Sequence, residues 1–171
     1  DYIYLTSDLA ELPGRKYQPK RNFINRFTSK YNYRFTAITA DNLDHCRTLN
    51  NIWCSQKGSK NSDPEQLAVN SALENFEQLP LEGWILYVED VPCAFSIGSA
   101  VNHDTFCIHI EKCDTRFEGV GTMINNLVAI ELQHRFKYIN REDDLGIEGL
   151  RRAKQSYHPH HLLAKQSARQ L

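Results

Sequence analysis

No apolar run in this 171-residue chain is long enough to cross a bilayer, and no charged leader precedes one. A helical membrane protein and a secretory leader are therefore not expected, and a cytoplasmic location is. Charge of one sign is also missing: 20 basic residues face 21 acidic ones, for a net charge of -1. The chain as a whole has no attraction to nucleic acid or anionic membrane, so an anionic ligand needs a local patch. The five cysteines (Cys46, Cys54, Cys93, Cys107 and Cys113) are odd in number and form no Cys-x-x-Cys. They read as reduced thiols, without a disulfide frame or finger-like zinc spacing. His158, His160 and His161 likewise lack Cys or carboxylate partners at ligand spacing, so no metal site is expected. Internal repeats and low-complexity stretches are absent. The chain starts at Asp1, which suggests a piece of something longer or a processed chain. What is present is an ordinary globular balance, 41% apolar and 24% charged, at a length that suits one compact domain.

Residues 1–31 hold Lys16, Lys20, Arg21, Arg26 and Lys30, with Pro13-Gly14 marking an irregular lead-in. Phe23, Ile24 and Phe27 then recur at helical spacing, so 19–31 reads as a basic amphipathic helix. Residues 1–31 are expected to be a connecting segment from a preceding half, and 32–171 the domain proper. Tyr33–Ile38 alternates as a strand. Leu43, Cys46, Leu49 and Trp53 stripe a helix reaching about Cys54. A polar loop over 55–63 leads to a helix opened by Asp63-Pro64 and ended by Pro80. Strands follow at Trp84–Val88, Val91–Val101 and Thr105–Cys113. Val120, Met123, Ile124, Leu127, Val128 and Leu132 define a helix reaching about Arg135. A short strand, Tyr138–Asn140, precedes a last helix from Gly146 to Ser156, and 158–171 is a final strand or a loose tail. The order β-α-α-β-β-β-α-β-α predicts an α/β fold, a mixed sheet with helices on both faces.

Two stretches carry chemistry. Arg116-Phe117-Glu118-Gly119-Val120-Gly121 fits R-x-x-G-x-G between a strand and a helix. Glycines let the backbone approach a ligand, and the first amides of a helix point outward at its positive end. A pyrophosphate fits there, with Arg116 adding a charged bond to the amides at Gly119, Val120 and Gly121. A strand-to-helix turn that happens to hold two glycines explains the same residues. In the second stretch, Arg141, Glu142, Asp143 and Asp144 crowd a strand exit ahead of a helix carrying Lys154 and Tyr157. Charges at the carboxyl end of a strand lie where α/β sheets bind ligands. Asp144, Lys154 and Tyr157 are the acid–base candidates there, expected in one cleft facing the glycine turn. A solvated helix face is the plainer alternative. Glu111, near the end of the preceding strand, is a candidate general base or an exposed edge carboxylate.

IEKCD (110–114), YINREDDLG (138–146) and EGLRRAKQSYHP (148–159) resemble the DUF2156 family, and YQPKRNFINRF (17–27) matches its upstream K-R-N signature. Members of that family resemble the C-terminal catalytic part of phosphatidylglycerol lysyltransferase. The resemblance implies a GNAT-like acyltransferase fold, the second of two such halves. In GNAT enzymes an R-x-x-G-x-G turn cradles coenzyme A, whereas the related lysyltransferases draw an amino acid from aminoacyl-tRNA. The expected donor is therefore aminoacyl-tRNA or an acyl-CoA, with no tightly bound cofactor. The expected acceptor is an amine or hydroxyl on a lipid or small molecule. Lys20, Arg21, Asn140 and Arg141 are candidates for holding donor phosphates or a tRNA end. An acetyl-CoA-dependent N-acetyltransferase and a non-catalytic anion-binding module are the rival functions.

Overall fold

A computed structural model describes residues 1–58 and 63–166. Its centre is a seven-stranded mixed sheet in the order β2-β3-β4-β5-β6-β1-β7. The strands are β1 (Tyr2–Leu5), β2 (Tyr33–Ala37), β3 (Glu82–Val88), β4 (Val91–Ala100), β5 (Thr105–Cys113), β6 (Tyr138–Asn140) and β7 (His161–Leu162). All neighbours pair antiparallel except β5 and β6. The helices are α1 (Thr6–Glu11), α2 (Gln18–Lys30), α3 (Leu43–Lys57), α4 (Pro64–Glu74), α5 (Val120–Leu132) and α6 (Glu148–Gln155). Among the described residues no helix is long and apolar enough to cross a membrane.

Strand alternation divides the core in two. Trp84, Leu86 and Val88 face one cluster with Tyr4, Leu9 and Phe27 and with Ile124 and Val128 of α5. Ile85 and Tyr87 face the other, with Leu49 of α3 and Val69 and Leu73 of α4. Helices therefore cover both faces, as the periodicity predicts.

The amino-terminal segment differs from the expected lead-in. Tyr2–Leu5 is a strand lying between β6 and β7, Thr6–Glu11 is helical, and α2 buries Phe27 against the core. Residues 1–31 are thus built into this domain. Their partners lie at the far end of the chain, beyond the reach of local patterning. The first long helix also outruns its expected end at Cys54: α3 continues to Lys57 and closes on Gly58 at φ 68°. The rest of the predicted loop, residues 59–62, lies outside the described residues. The helix opened at Asp63-Pro64, α4, stops at Glu74, before Pro80, and α6 begins at Glu148 rather than Gly146.

β5 carries a bulge. Ile97 pairs with Ile110 and Gly98 with Ile108, so His109 is an extra residue. Gly98 permits this approach, since a Cβ there would lie 2.1 Å from the Cys107 carbonyl oxygen. β5 and β6 pair from Thr105 and Tyr138 as far as Cys107 and Asn140 and no further, which opens the sheet at Glu111 and Arg141.

Candidate functional site

The parted strands face each other through charge. Arg141 leaves β6 and donates to Glu111 Oε1 of β5 at 2.9 Å, with the two side chains 13% and 19% exposed. The Arg141 guanidinium also lies 5.2 Å from the centre of the Tyr157 ring. From α2, Lys20 Nζ sits 3.7 Å from the same ring and donates to Ser156 Oγ at 2.6 Å. Two cations thus stand against one aromatic ring, and among the described residues one carboxylate, Glu111, pairs with them. Burial and then the nearby Arg141 charge pull the Lys20 ammonium down to about 8.

Tyr157 is fixed from several sides. Tyr17 donates its hydroxyl to the Tyr157 carbonyl at 2.9 Å, and Tyr4 donates to the Lys154 carbonyl at 2.8 Å. The amino-terminal segment therefore holds the end of α6 in place. Burial raises the Tyr157 phenol, while the Arg141 charge and the polar Thr122 side chain pull it partly back. Thr122 lies in the first turn of α5, so the Tyr157 phenol feels the start of the helix after the glycine turn.

Other candidates serve different ends. Lys154 is buried and donates Nζ to the carbonyls of Arg141 and Asp143, which braces the strand exit. Its ammonium is lowered, first by burial and then by Arg141. Asp144 turns away, accepting from Tyr2 at 2.6 Å, from the Gly146 amide at 2.9 Å and from Arg151 Nε at 2.8 Å. Arg21 spends its guanidinium on the carbonyls of Leu12 and Gly14 and on Gln18. Asn140 donates to Asp1 and accepts from the Glu142 amide. The strand-exit candidates therefore divide, with Arg141 joining Glu111, Lys20 and Tyr157 while Asp144 lies elsewhere. Two surface hollows, one beside Leu5 and Phe136 and one beside Ile3 and Tyr138, also lie apart from this cluster.

The glycine turn is partly occupied by the protein itself. Gly119 has φ 82°, and a Cβ there would lie 2.9 Å from the Phe23 carbonyl oxygen of α2. The Glu118 amide donates to Tyr31, Val120 to Phe117, and Thr122 and Met123 to Gly119. Arg116 forks onto Asp114, which is buried and also accepts from Gln56. A Cβ on Gly121 would meet only Cys113 Sγ, at 3.7 Å.

Sequence reasoning missed Thr122, Ser156 and His109. The first two meet the cluster through tertiary packing alone. His109 had a signal, since it and Cys107 stand two apart on one strand.

Comparison with known proteins bears on the fold and the family. A crystal structure of a conserved protein of unknown function from Bacteroides thetaiotaomicron is 47% identical, with TM-score 0.90, over 95% of this chain and 56% of that one. The C-terminal domain (DUF2156) of a putative lysylphosphatidylglycerol synthetase from Agrobacterium fabrum shares the fold, with TM-score 0.69 at 13% identity, over 92% of this chain and 55% of that one. An aminoglycoside N-acetyltransferase in complex with CoA shares it at TM-score 0.59 and 14% identity, over 82% of this chain and 95% of that one. The fold is thus that of GNAT acyltransferases, and the chain spans just over half the length of the first two proteins. The family model for phosphatidylglycerol lysyltransferase, C-terminal, matches residues 1–169, and the chain belongs to that family.

Proposed function

We propose that this domain is the catalytic half of an acyltransferase that moves an aminoacyl group from aminoacyl-tRNA to an amine or hydroxyl acceptor, a lipid headgroup or a small molecule. The observation that carries this is the cation surplus around Tyr157. Among the described residues, Lys20 and Arg141 stand against a single paired carboxylate, Glu111. Like charges held in a half-buried place are unfavourable unless an anion joins them, and the phosphates of a tRNA end supply one. The same reading puts the reaction in the cytoplasm.

An acyl-CoA is the weaker donor candidate. Its pyrophosphate would need the amides of Gly119, Val120 and Gly121, and of these Val120 already donates to Phe117 while α2 lies against Gly119.

In the transfer, the acceptor heteroatom attacks the ester carbonyl carbon and the ester C–O bond breaks. The ribose oxygen leaves with a proton, for which Tyr157, kept neutral by burial, is the donor. Glu111, steered by Arg141, takes the proton of the attacking group directly or through water. Arg141 and Lys20 hold the donor, and Lys154 keeps the Arg141 loop in shape.

The test uses the full-length protein with radiolabelled aminoacyl-tRNA, lipid vesicles and a panel of soluble amines, run beside labelled acetyl-CoA. Transfer from aminoacyl-tRNA is expected, and Tyr157→Phe and Glu111→Gln should each slow it about a hundredfold with the fold intact. Turnover of acetyl-CoA alone would replace this donor. Full activity in both variants would remove these residues from the mechanism.

A further inference from the structure

A second constellation lies on the strands of the opened sheet and has no part in the transfer chemistry above. Cys107 and His109 are two apart on β5, and Glu142 follows β6. Glu142 Oε1 lies 3.1 Å from His109 Nδ1 and 3.8 Å from Cys107 Sγ, and the three donor atoms all fall within 4.8 Å of one another. We propose that Cys107, His109 and Glu142 form a three-ligand site for a divalent transition cation of the zinc class, with a fourth position open to solvent or substrate.

The spacing fits the chemistry. Bond lengths of about 2.3 Å to sulfur and about 2.0 Å to nitrogen and oxygen, in a tetrahedron, set donor atoms about 3.3–3.6 Å apart. The observed separations lie close enough that small side-chain rotations reach it. Thiolate, imidazole and carboxylate together suit zinc, whereas magnesium and calcium prefer oxygen alone.

The surroundings orient the ligands. Ser99 Oγ lies 2.9 Å from His109 Nε2, so the ring nitrogen left over from coordination has a partner and Nδ1 is the one presented. Glu142 is held at φ 55°, a conformation costly for a side chain of its type, and the Asn140 side chain fixes it by accepting from its amide. That backbone turn sends Glu142 to His109 while its neighbour Arg141 goes to Glu111. His109 and Glu142 are 37% and 41% exposed, which leaves a way in and a free coordination position. Two cations stand near Glu142, and each is engaged: Lys154 with the carbonyls of Arg141 and Asp143, Lys165 with Asp1 at 2.7 Å. The spacing rules that excluded a metal in the sequence look for pairs along one segment, and this set spans residues 107–142.

On binding, the Cys107 S–H bond gives its proton to solvent as the metal–sulfur bond forms. The experiment uses full-length protein purified without a polyhistidine tag, stripped and reloaded with zinc or cobalt(II). One equivalent of metal should be retained, and the cobalt form should show a thiolate-to-metal charge-transfer band. Cys107→Ser should abolish that band, His109→Ala should weaken zinc binding at least about a hundredfold, and Ser99→Ala about tenfold. Thermal unfolding checks that each variant is folded; if Cys107→Ser is not, His109→Ala decides. A wild-type protein that takes up less than a tenth of an equivalent, a cobalt spectrum without the thiolate band, or a folded His109→Ala variant with unchanged affinity would overturn the proposal.

Discussion

Arg141 and Asp144 stand three residues apart, yet they belong to regions with opposite electrostatic outcomes. At Asp144, the Tyr2 hydroxyl, the Gly146 amide and the Arg151 guanidinium converge on one carboxylate. Arg151 first, then Tyr2, hold its carboxyl far below the usual range, and the charges there cancel. At Arg141, Lys20 and the guanidinium share one aromatic ring, and among the described residues Glu111 is the carboxylate paired with them. The first region is complete without a ligand, while the second is left one positive charge over. A run of charged residues in sequence is thus not one site. The balance of partners separates a structural knot from a place that needs an anion.

The largest expected effect breaks the second region. Arg141→Ala leaves Glu111 mostly buried and unpaired and should lower unfolding free energy by about 3–5 kcal/mol in urea denaturation. It should also remove transfer activity, whereas Arg141→Lys keeps the charge and should lose less stability. If Arg141→Ala unfolds within about 1 kcal/mol of wild type, the pair is better solvated than its exposure suggests and the contrast with Asp144 collapses.

Lys20→Met sharpens the comparison by removing the surplus charge. Donor binding should weaken about tenfold or more, in line with loss of a charged hydrogen bond of about 1.5–3 kcal/mol. The lysine is held at about 8 when folded, against about 10.4 when unfolded. Between those values the unfolded chain carries more protons, so wild-type stability should rise with pH across that window. Lys20→Met should flatten the rise, and donor affinity of the wild type should fall as pH climbs through 8. An unchanged pH profile in the variant would mean that Lys20 is freely solvated.

Much of the fold was legible because its signals act within single elements. The apolar stripe from Val120 to Leu132 marks α5, and alternation marks the strands from Glu82 to Cys113. Tyr2–Leu5 was not legible as a strand, because its partners are at 138–140 and 161–162. The site was legible as a cluster, but its division was not. Glu142 at φ 55° and Leu145 at φ 49° break the alternation that would have told which neighbours share a face. The glycine turn shows the same limit from the other side. Its sequence advertises free amides, and only the packing of Phe23 on Gly119 and the donors to Tyr31 and Phe117 reveal how many are taken. Lys112 is a third case: it sits in a strand that looks half exposed, yet only 2% of it is accessible, under Trp53 and paired with Glu65.

Asp144→Asn should have the smallest effect on transfer and a clear one on acid stability. The amide keeps one acceptor oxygen, enough for Tyr2 or for the Gly146 amide, and it loses the charge that holds Arg151. Because the carboxyl is depressed in the folded state, its contribution to stability is fully present above the unfolded value of about 3.9 and is lost as pH falls through the folded one. Wild type should therefore be the more stable above about pH 5. The two unfolding midpoints should converge as acid removes the wild-type advantage, leaving the variant with the flatter acid limb. At neutral pH, transfer in the variant should stay within about twofold of wild type, since Asp144 faces away from Tyr157 and its partners close the start of α6. Initial rates beside thermal unfolding from pH 2 to 7 measure both. A loss of turnover matching that of Tyr157→Phe, with the fold retained, would place Asp144 in the reacting cluster and erase the distinction between the two regions.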